Sequence, residues 1–292
     1  MLSFLPGPIR GTLSLLLFTI NTIFWTIPII LVALLKSLFP VSGWHKLCRR
    51  IQNSLGSAWI VINDFNLLLT NKIRWDVSGV DGLTRNEWYL VVANHQSWVD
   101  ILVLQKIFNR KIPFLKFFLK KELIWVPFLG LAWWALDYPF LDRSAATYKD
   151  TETIQKACEK FRTTPVSIMN FPEGTRFSID KHRKQSSPYT NLLKPKAGGI
   201  ALVLTAMGKQ IHSILDVTIA YPHGAKSFWA FLCGKVPEIK VRVESLPADA
   251  ILLGDYLHDR KFRRQFMLWL NALWAEKDNR IEMLLRQGVL DK

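Results

Sequence analysis

The N-terminal segment is the feature that most restricts how this chain can fold. No charged residue occurs between Arg10 and Lys36, and the stretch between them is rich in Leu, Ile, Phe and Trp. About 20 apolar residues allow a helix to cross a bilayer, so the stretch predicts a membrane-anchoring helix. A cleaved signal peptide fits less well, because no small-x-small site follows promptly. Trp25 and Pro28 interrupt the run, so a helix buried in one leaflet remains an alternative to a full span.

The composition of the 292-residue chain favours membrane lipids as partners. The net charge is +15, half of the residues are hydrophobic, and there are 12 tryptophans. Such a chain fits an anionic membrane better than duplex nucleic acid, and we expect no nucleic-acid partner. Any single run of charge is more simply a solvated surface. Basic residues are more numerous just after the apolar run than before it, which predicts that the following part faces the cytoplasm. The three cysteines form no CxxC pair, which favours a reducing compartment.

Residues 44–71 form a predicted second helix with a basic start and an apolar end. This pattern suits a helix that lies against a membrane. A core helix of the following domain explains it equally well. The sequence therefore predicts a membrane-anchoring helical segment over residues 1–71 and a separate α/β domain with C-terminal helices over residues 72–292.

The second segment alternates between strand and helix patterns. Runs rich in β-branched and aromatic residues are separated by stretches with helical periodicity. This alternation predicts an α/β fold: a mixed, largely parallel sheet flanked by helices and preceded by the N-terminal membrane-anchoring helices. The predicted strands cover residues 73–77, 88–93, 166–171, 214–220 and 239–243. The predicted helices cover residues 98–108, 145–162, 199–207 and 255–287.

The segment from Asn94 to Asp100 follows a predicted strand and enters a predicted helix. Asp100 falls in the first turn of that helix, with Ser97 as the expected N-cap. Its carboxylate can orient one ring nitrogen of His95, which leaves the other nitrogen as a proton acceptor. Alternatively, Asp100 only completes a capping box and His95 is an ordinary loop histidine. On this segment alone the two interpretations are even.

A second segment, Phe171-Pro172-Glu173-Gly174-Thr175-Arg176, also follows a predicted strand. Its proline and glycine predict a tight turn that lets the backbone approach a ligand closely. Arg176 offers a guanidinium suited to phosphate. A plain surface turn explains the proline and the glycine but not the whole hexapeptide.

The two segments together resemble the first and third signature blocks of the glycerolipid acyltransferases, which include the bacterial 1-acylglycerol-3-phosphate acyltransferases. The family pattern is an Asn-His-x4-Asp block followed by Phe-Pro-Glu-Gly-Thr-Arg. The resemblance covers roughly residues 85–225. The chain is most similar to bacterial inner-membrane members of the family, which implies that location, with the catalytic domain facing the cytoplasm.

The resemblance implies that His95 is the general base and that Asp100 orients it. It also implies acceptor-binding residues from the hexapeptide, from a Lys-x2-Leu-x3-Pro-x2-Gly run and from an aliphatic-Asp-Arg ending. These residues are Lys120, Arg143, Glu173, Gly174, Thr175 and Arg176. The chain departs from the family pattern in two places. No glycine precedes the Asp-Arg ending, and Leu215-Asp216-Val217-Thr218 stands where a proline flanked by aliphatic residues is usual. Both changes are expected to reshape the acceptor or acyl pocket.

The implied reaction is acyl transfer from acyl-CoA or acyl carrier protein to the hydroxyl of a lysophospholipid. The expected acceptor is 1-acylglycerol 3-phosphate, which would give phosphatidic acid. Lysophosphatidylglycerol and lysophosphatidylinositol are alternative acceptors, and a non-catalytic basic membrane- or nucleic-acid-binding protein is an alternative of another class. The chain has no GxSxG, HExxH, GxGxxG or P-loop motif, so no metal or cofactor is expected. The basic cluster at residues 181–184 is either a contact for headgroups or coenzyme A phosphates or a solvated loop.

Overall fold

Eight strands form the sheets of the protein. The structure is a computed structural model that describes residues 2–141, 148–248 and 252–290. The strands are β1 (Arg74–Ser78), β2 (Tyr89–Ala93), β3 (Leu115–Phe117), β4 (Leu119–Lys120), β5 (Phe140–Leu141), β6 (Ser167–Asn170), β7 (Ser213–Ala220) and β8 (Glu238–Pro247).

Four strands of the main sheet run in the same direction. The strand order is β1-β8-β7-β2-β6-β3. β2 pairs in parallel with β6 and β7, and β6 pairs in parallel with β3. β8 is antiparallel to β7 and parallel to β1, so the sheet is mixed and largely parallel, as predicted. Because β2, β3, β6 and β7 share a direction, the segments that follow them meet at one edge of the sheet, where open α/β sheets bind ligands.

Helices cover both faces of this sheet. They are α1 (Gly7–Leu38), α2 (Ser42–Thr70), α3 (Val99–Phe108), α4 (Leu129–Ala135), α5 (Tyr148–Phe161), α6 (Ile179–Gln185), α7 (Gly198–Met207), α8 (Phe228–Leu232) and α9 (Arg260–Leu290), with a 3-10 helix at Lys121–Trp125. Each predicted strand and helix is present with ends that differ by a few residues, although residues 145–147 of one predicted helix lie outside the described part. The missed elements, β3, β4, β5, α4, α6 and α8, have at most seven residues each, too few to show a period.

The sheet buries a core on each of its faces. On one face, Val91 packs with apolar residues of α1, α2 and α3. On the other face, Leu90 and Val92 pack with residues of α5, α7 and α9. Successive side chains of β2 thus point to opposite cores, which follows from the two-residue period of a strand. The N-terminal helices share their core with the sheet through Phe18 and Trp59.

The two N-terminal helices form an antiparallel hairpin joined by buried amides. Asn21 donates to the Asn63 side chain at 2.8 Å, and Asn66 donates to the Ser14 carbonyl at 2.9 Å. By length and composition α1 could cross a membrane, and Pro28 lies within it without ending it. α2 buries one face and exposes apolar residues on the other, so both roles predicted for it fit.

Candidate active site

His95 lies just beyond the carboxyl end of β2, at the edge where the parallel strands end. Its side chain keeps 13% exposure and stacks on Phe171 with ring centroids 4.0 Å apart. The preceding residue, Asn94, is fully buried. Its amide donates to the Ile219 carbonyl and accepts from the Ile219 N–H, both at 2.8 Å. These bonds tie the end of β2 to β7 and fix the point from which His95 projects.

Asp100 holds the imidazole of His95 in one orientation. The carboxylate of Asp100 is fully buried, and its Oδ2 lies 2.9 Å from Nδ1 of His95. Because an ionised carboxylate only accepts hydrogen bonds, Nδ1 carries the hydrogen and Nε2 presents a lone pair. Among the described residues, none forms a hydrogen bond with that Nε2. The structure thus brings the two predicted residues together in the arrangement of a base and its orienting group.

The alternative role of Asp100, as a helix cap, is also partly satisfied. Its Oδ2 accepts the backbone N–H of Gln96 at 2.6 Å and that of Ser97 at 2.8 Å, as an acidic residue does when it reaches back to a helix start. The N-cap of α3 is Trp98 rather than the predicted Ser97, although the Ser97 hydroxyl accepts the Val99 N–H at 3.3 Å, as a capping side chain does. α3 begins at Val99, and the Ser97 hydroxyl donates to the Lys226 carbonyl at 2.7 Å. One carboxylate therefore serves both the imidazole and the start of α3.

Tyr221 is a third member of the site that the sequence did not predict. It follows β7, and its buried hydroxyl donates to Oδ1 of Asp100 at 2.6 Å. Burial, with the neighbouring carboxylate, raises the pKa of Tyr221 well above its ordinary value. The side chain therefore remains a phenol that can donate. The sequence contained one indication of this residue, since Tyr221 comes directly after the predicted strand at residues 214–220. In the structure that strand, β7, pairs in parallel with β2.

Glu173 holds the backbone of the His95 loop. Its side chain is fully buried, and its two carboxyl oxygens accept the N–H groups of His95 at 2.7 Å and Leu193 at 2.9 Å. Burial raises the pKa of Glu173 from 4.5 to about 7. Both oxygens therefore accept backbone donors away from solvent, and the expected role of Glu173 in binding the acceptor stays a prediction.

The rest of the hexapeptide turn is held against the same loop. Gly174 has φ of +68°, a left-handed conformation that glycine adopts without steric cost. Beyond the turn, the Phe177 N–H donates to the His95 carbonyl at 2.7 Å. The N–H and the carbonyl of His95 are therefore both bound by the segment that contains the hexapeptide.

Three cations surround the hexapeptide turn. The exposed guanidinium of Arg176 lies over the Trp98 ring, 4.8 Å from its centroid. Lys181 donates to the Thr175 hydroxyl at 2.7 Å and to the Arg176 carbonyl at 3.0 Å. The Lys196 side chain passes beside Gly174. The site thus has a positively charged side next to the His95 loop.

Two predicted residues are not part of this constellation. Lys120 is exposed on β4, which follows β3 in the chain and pairs with β5 in a separate two-stranded sheet. Within the ranges that the structure describes, no hydrogen bond or ion pair joins it to His95 or Arg176. Arg143 lies outside the described residues. In the described part of the chain, no three His, Cys, Asp or Glu side chains are grouped to hold a metal ion.

Comparison with known proteins identifies the family. A family model described as acyltransferase matches residues 74–222, just over half of the chain. The chain is 26% identical over 269 residues to the 1-acyl-sn-glycerol-3-phosphate acyltransferase gamma of Mus musculus, covering 87% of this chain and 68% of the relative. The chain belongs to the glycerolipid acyltransferase family.

A second relative and one solved structure share different features with this acyltransferase. The 2-acyl-1-lysophosphatidylinositol acyltransferase of Saccharomyces cerevisiae is 28% identical over 144 residues, which is 42% of this chain and 34% of that protein. The crystal structure of the 1-acyl-sn-glycerophosphate acyltransferase of Thermotoga maritima matches with a TM-score of 0.56 at 20% identity, covering 95% of this chain and 97% of that one. At that identity the likeness concerns the fold.

Hydrogen bonds from α9 hold the loops of the acyltransferase site, although α9 lies beyond residues 74–222, which the family model matches. Trp274 of α9 donates from Nε1 to the Leu193 carbonyl at 3.1 Å. The N–H of Leu193 is the second donor to Glu173. A continuous chain of hydrogen bonds therefore runs from α9 through Glu173 to the backbone of His95. Its three links join residues that are 81, 20 and 78 positions apart, and no pattern in the sequence predicts them.

Asp278 of α9 supports the same loop at a second point. Its carboxylate accepts the N–H groups of Thr190 at 2.6 Å and Asn191 at 2.7 Å. The Asn191 carbonyl in turn accepts from the Gln96 side chain at 3.0 Å. The segment that follows His95 is thus also connected to α9.

Asp216, one of the departures from the family pattern, is part of a buried ion cluster. Its fully buried carboxylate lies 2.5 Å from Lys277 and 3.0 Å from Arg280, both on α9. Lys277 also donates to the Val217 carbonyl at 2.6 Å, and burial lowers its pKa. We expected this departure to reshape a substrate pocket. It instead lies where α9 docks on the sheet.

Proposed function

We propose that this acyltransferase transfers a fatty acyl group from an acyl thioester to the free hydroxyl of 1-acylglycerol 3-phosphate, giving phosphatidic acid. The position of Arg176 carries the proposal. Its guanidinium lies on Trp98, three residues from His95 in the chain, so a cation suited to a phosphomonoester adjoins a base suited to a hydroxyl. The name of the Mus musculus relative supports the same acceptor.

In the proposed reaction His95 acts as the general base. The acceptor hydroxyl gives its proton to Nε2 as its oxygen attacks the thioester carbonyl carbon. The C–S bond then breaks, and the departing thiolate takes the proton back from the imidazolium. General-base catalysis of this kind contributes about 10²–10⁴-fold. Asp100 stabilises the imidazolium, since its Oδ2 bonds to Nδ1.

Direct attack by the acceptor is favoured over a covalent intermediate on the nearest serine. The hydroxyl of Ser97 donates to the Lys226 carbonyl and accepts from the Val99 N–H. It is not bonded to His95, so it lacks the activation that a serine nucleophile needs. The proposed reaction uses no metal or cofactor, and acyl-CoA or acyl carrier protein is its donor substrate.

The proposal includes a location at the cytoplasmic face of a bacterial inner membrane. α1 is long and apolar enough to enter a bilayer. Basic residues cluster at the end of α1 and the start of α2, as is typical of segments on the cytoplasmic side of a membrane. They are Lys36, Lys46, Arg49 and Arg50.

A panel of acceptors tests the proposal. Purified protein in vesicles would receive labelled acyl-CoA, or acyl carrier protein in parallel, with lysophosphatidic acid, lysophosphatidylglycerol or lysophosphatidylinositol. Lysophosphatidic acid is expected to give the highest kcat/KM. Arg176→Ala should raise KM for this phosphomonoester more than for the two phosphodiesters, because only the monoester carries a second negative charge. Arg264→Ala, which changes an exposed arginine of α9, is the matched control. No turnover with any acceptor would contradict the proposal.

Lysophosphatidylinositol is the second candidate acceptor. The Saccharomyces cerevisiae relative carries that activity in its name. A higher kcat/KM with lysophosphatidylinositol, unaffected by Arg176→Ala, would favour this candidate. Family membership sets aside the non-catalytic alternative, and the absence of a nucleic-acid partner stays a prediction.

A further inference from the structure

The first half of α1 is docked on the catalytic domain. Near its start, Arg10 donates to the Cys233 carbonyl at the end of α8. Two turns later, the Phe18 ring packs on Phe228 of α8, with centroids 6.3 Å apart. Gly11 lies so close to Cys233 that an added Cβ would meet its sulfur at 2.6 Å. These contacts leave no room for lipid between α1 and α8.

The second half of α1 is docked on a different part of the same domain. The Thr26 hydroxyl lies 3.5 Å from the Phe128 carbonyl at the start of α4. Farther along, Lys36 forms an ion pair with Asp137, just beyond the end of α4. α1 therefore contacts the domain close to both of its ends and between them.

The length of this docked stretch bears on how α1 meets a membrane. At 1.5 Å per residue, the distance from Arg10 to Lys36 is about 39 Å, whereas the hydrocarbon core of a bilayer is about 30 Å thick. If α1 stood upright across the bilayer, α4 and α8 would lie near opposite surfaces and the sheet between them would lie inside the hydrocarbon. The buried charges and open loops of that region make such a placement prohibitive. α1 must therefore lie along the membrane plane, under the domain.

The 3-10 helix and α4 expose a cluster of large apolar side chains beside α1. Its members are Trp125 (84% exposed), Phe128 (45%), Leu131 (49%) and Trp134 (53%), and we call them the α4 patch. The turn that presents them is compact, since an added Cβ on Gly130 would meet the Ile124 carbonyl oxygen at 2.1 Å. The 3-10 helix and α4 are thus packed tightly against each other beneath the α4 patch.

The α4 patch adjoins a larger apolar surface on α1. Apolar side chains of α1 recur along its outward face, each more than half exposed: Ile9, Leu16, Ile20, Phe24, Ile27, Leu31, Leu34 and Leu38. α4 packs directly against this helix through Phe128. The exposed lysines Lys120 and Lys121 precede the patch and suit anionic headgroups. Exposed tryptophans beside a lipid-facing helix are typical of membrane–water interfaces.

We infer that the α4 patch inserts into the same membrane leaflet as α1, so that the protein is anchored in one leaflet by a helix lying in the plane and by this second contact. The bilayer is the occupant of the patch. The contact also places the carboxyl end of β3 near the lipid surface, because β4 follows β3 directly and leads into the 3-10 helix of the patch. One consequence rests on the proposed function: the acceptor lipid then reaches His95 from the leaflet itself. The membrane contact does not depend on that function.

Depth measurements on the full chain in vesicles test the inference without any need for turnover. An environment-sensitive fluorophore would be attached to single cysteines in Trp125→Cys, Leu131→Cys and, as a control, Leu268→Cys, which is 61% exposed on α9. The three native cysteines are buried and should label poorly. In vesicles containing phosphatidylglycerol, the probes at 125 and 131 should shift to the blue and be quenched by shallow nitroxide lipids. The probe at 268 should not. Water-like emission at 125 and 131 would overturn the inference.

The same approach distinguishes the two placements of α1. Probes in Ile9→Cys, Ile20→Cys and Leu31→Cys should report one common depth if the helix lies in the plane. A spanning helix would instead put Ile20 near the bilayer centre and the other two near its surfaces, which would contradict the inference.

A functional variant separates the membrane contact from the chemistry. Trp125→Ser with Trp134→Ser should lower turnover of long-chain acceptor in vesicles severalfold. It should leave turnover of a short-chain acceptor dissolved below its micelle concentration unchanged. Equal loss with both acceptors would place these tryptophans in the site and count against the inference. A wild-type enzyme inactive with every acceptor would instead refute the proposed function and leave the depth measurements to decide the inference.

Discussion

Tyr221 donates its phenolic hydrogen to Oδ1 of Asp100 at 2.6 Å, on the side of the carboxylate opposite His95. Together with Gln96 and Ser97, these residues give the fully buried carboxylate of Asp100 four donors. The carboxylate is thereby fixed in the plane that the imidazole requires. Tyr221 touches no reacting atom and acts through Asp100.

Tyr221→Phe should lower kcat about tenfold with little change in KM. A hydrogen bond to a charged group contributes about 1.5–3 kcal/mol, and its loss lets the carboxylate rotate away from His95. The matched control is Tyr138→Phe, which removes a buried hydroxyl that donates to the Leu115 carbonyl far from His95. The control should lower the melting temperature by a similar amount and leave kcat unchanged. Equal kcat values for the two variants would count against a positioning role.

Glu173 should make the folding free energy depend on pH between about 4.5 and 7. Burial raises its pKa from 4.5 to about 7, so the folded chain binds this proton more tightly than the unfolded chain. The stabilisation is fully present below about pH 4.5 and is lost as the pH rises through 7, with an upper bound of about 3 kcal/mol.

Melting temperatures of the wild type and Glu173→Gln, measured in detergent from pH 5 to pH 8, check this expectation. The wild type should lose stability relative to the variant as the pH rises. The exposed Glu276 of α9 provides the control, since Glu276→Gln should keep the wild-type pH dependence. A Glu173→Gln variant with the same slope as the wild type would refute it.

Trp274→Phe should lower kcat severalfold although the residue lies outside the family match. The change keeps a buried ring but removes the donor to the Leu193 carbonyl, which loosens the segment that holds Glu173. Trp269→Phe, on the same helix and partly buried, should leave kcat unchanged. Steady-state kinetics on both variants, with KM determined separately, measure the difference. If the two variants behave alike, the chain of bonds from α9 does not position His95.

Lys277→Met should destabilise the fold by about 3–5 kcal/mol, because it leaves Asp216 buried with one partner fewer. Lys277→Met combined with Asp216→Asn should recover part of that loss, since neither buried charge then remains unmatched. Denaturant unfolding in detergent gives the free energies. A single variant as stable as the wild type would show that the pair contributes little.

The parts of the site that could be predicted are those that the chain brings together locally. Asp100 lies five positions after His95, and a strand followed by a helix is enough to place them in contact. The parts that could not be predicted depend on distant segments. The sequence did not predict that Glu173 accepts the N–H groups of His95 and Leu193, and Leu193 is in turn held by a hydrogen bond from α9. The short elements β3, β4 and β5 leave no periodic pattern, so the edge strand β3 and the separate two-stranded sheet of β4 and β5 became visible only in the structure.

The role of His95 is tested most directly by single-turnover acyl transfer from labelled acyl-CoA to 1-acylglycerol 3-phosphate. His95→Ala should slow the transfer step by about 10²–10⁴-fold, while the melting temperature and membrane binding stay near those of the wild type. Asp100→Asn should lose much of the same rate, and the double variant should be little slower than His95→Ala. A His95→Ala enzyme that transfers the acyl group at close to the wild-type rate would contradict the assignment of His95 as the base.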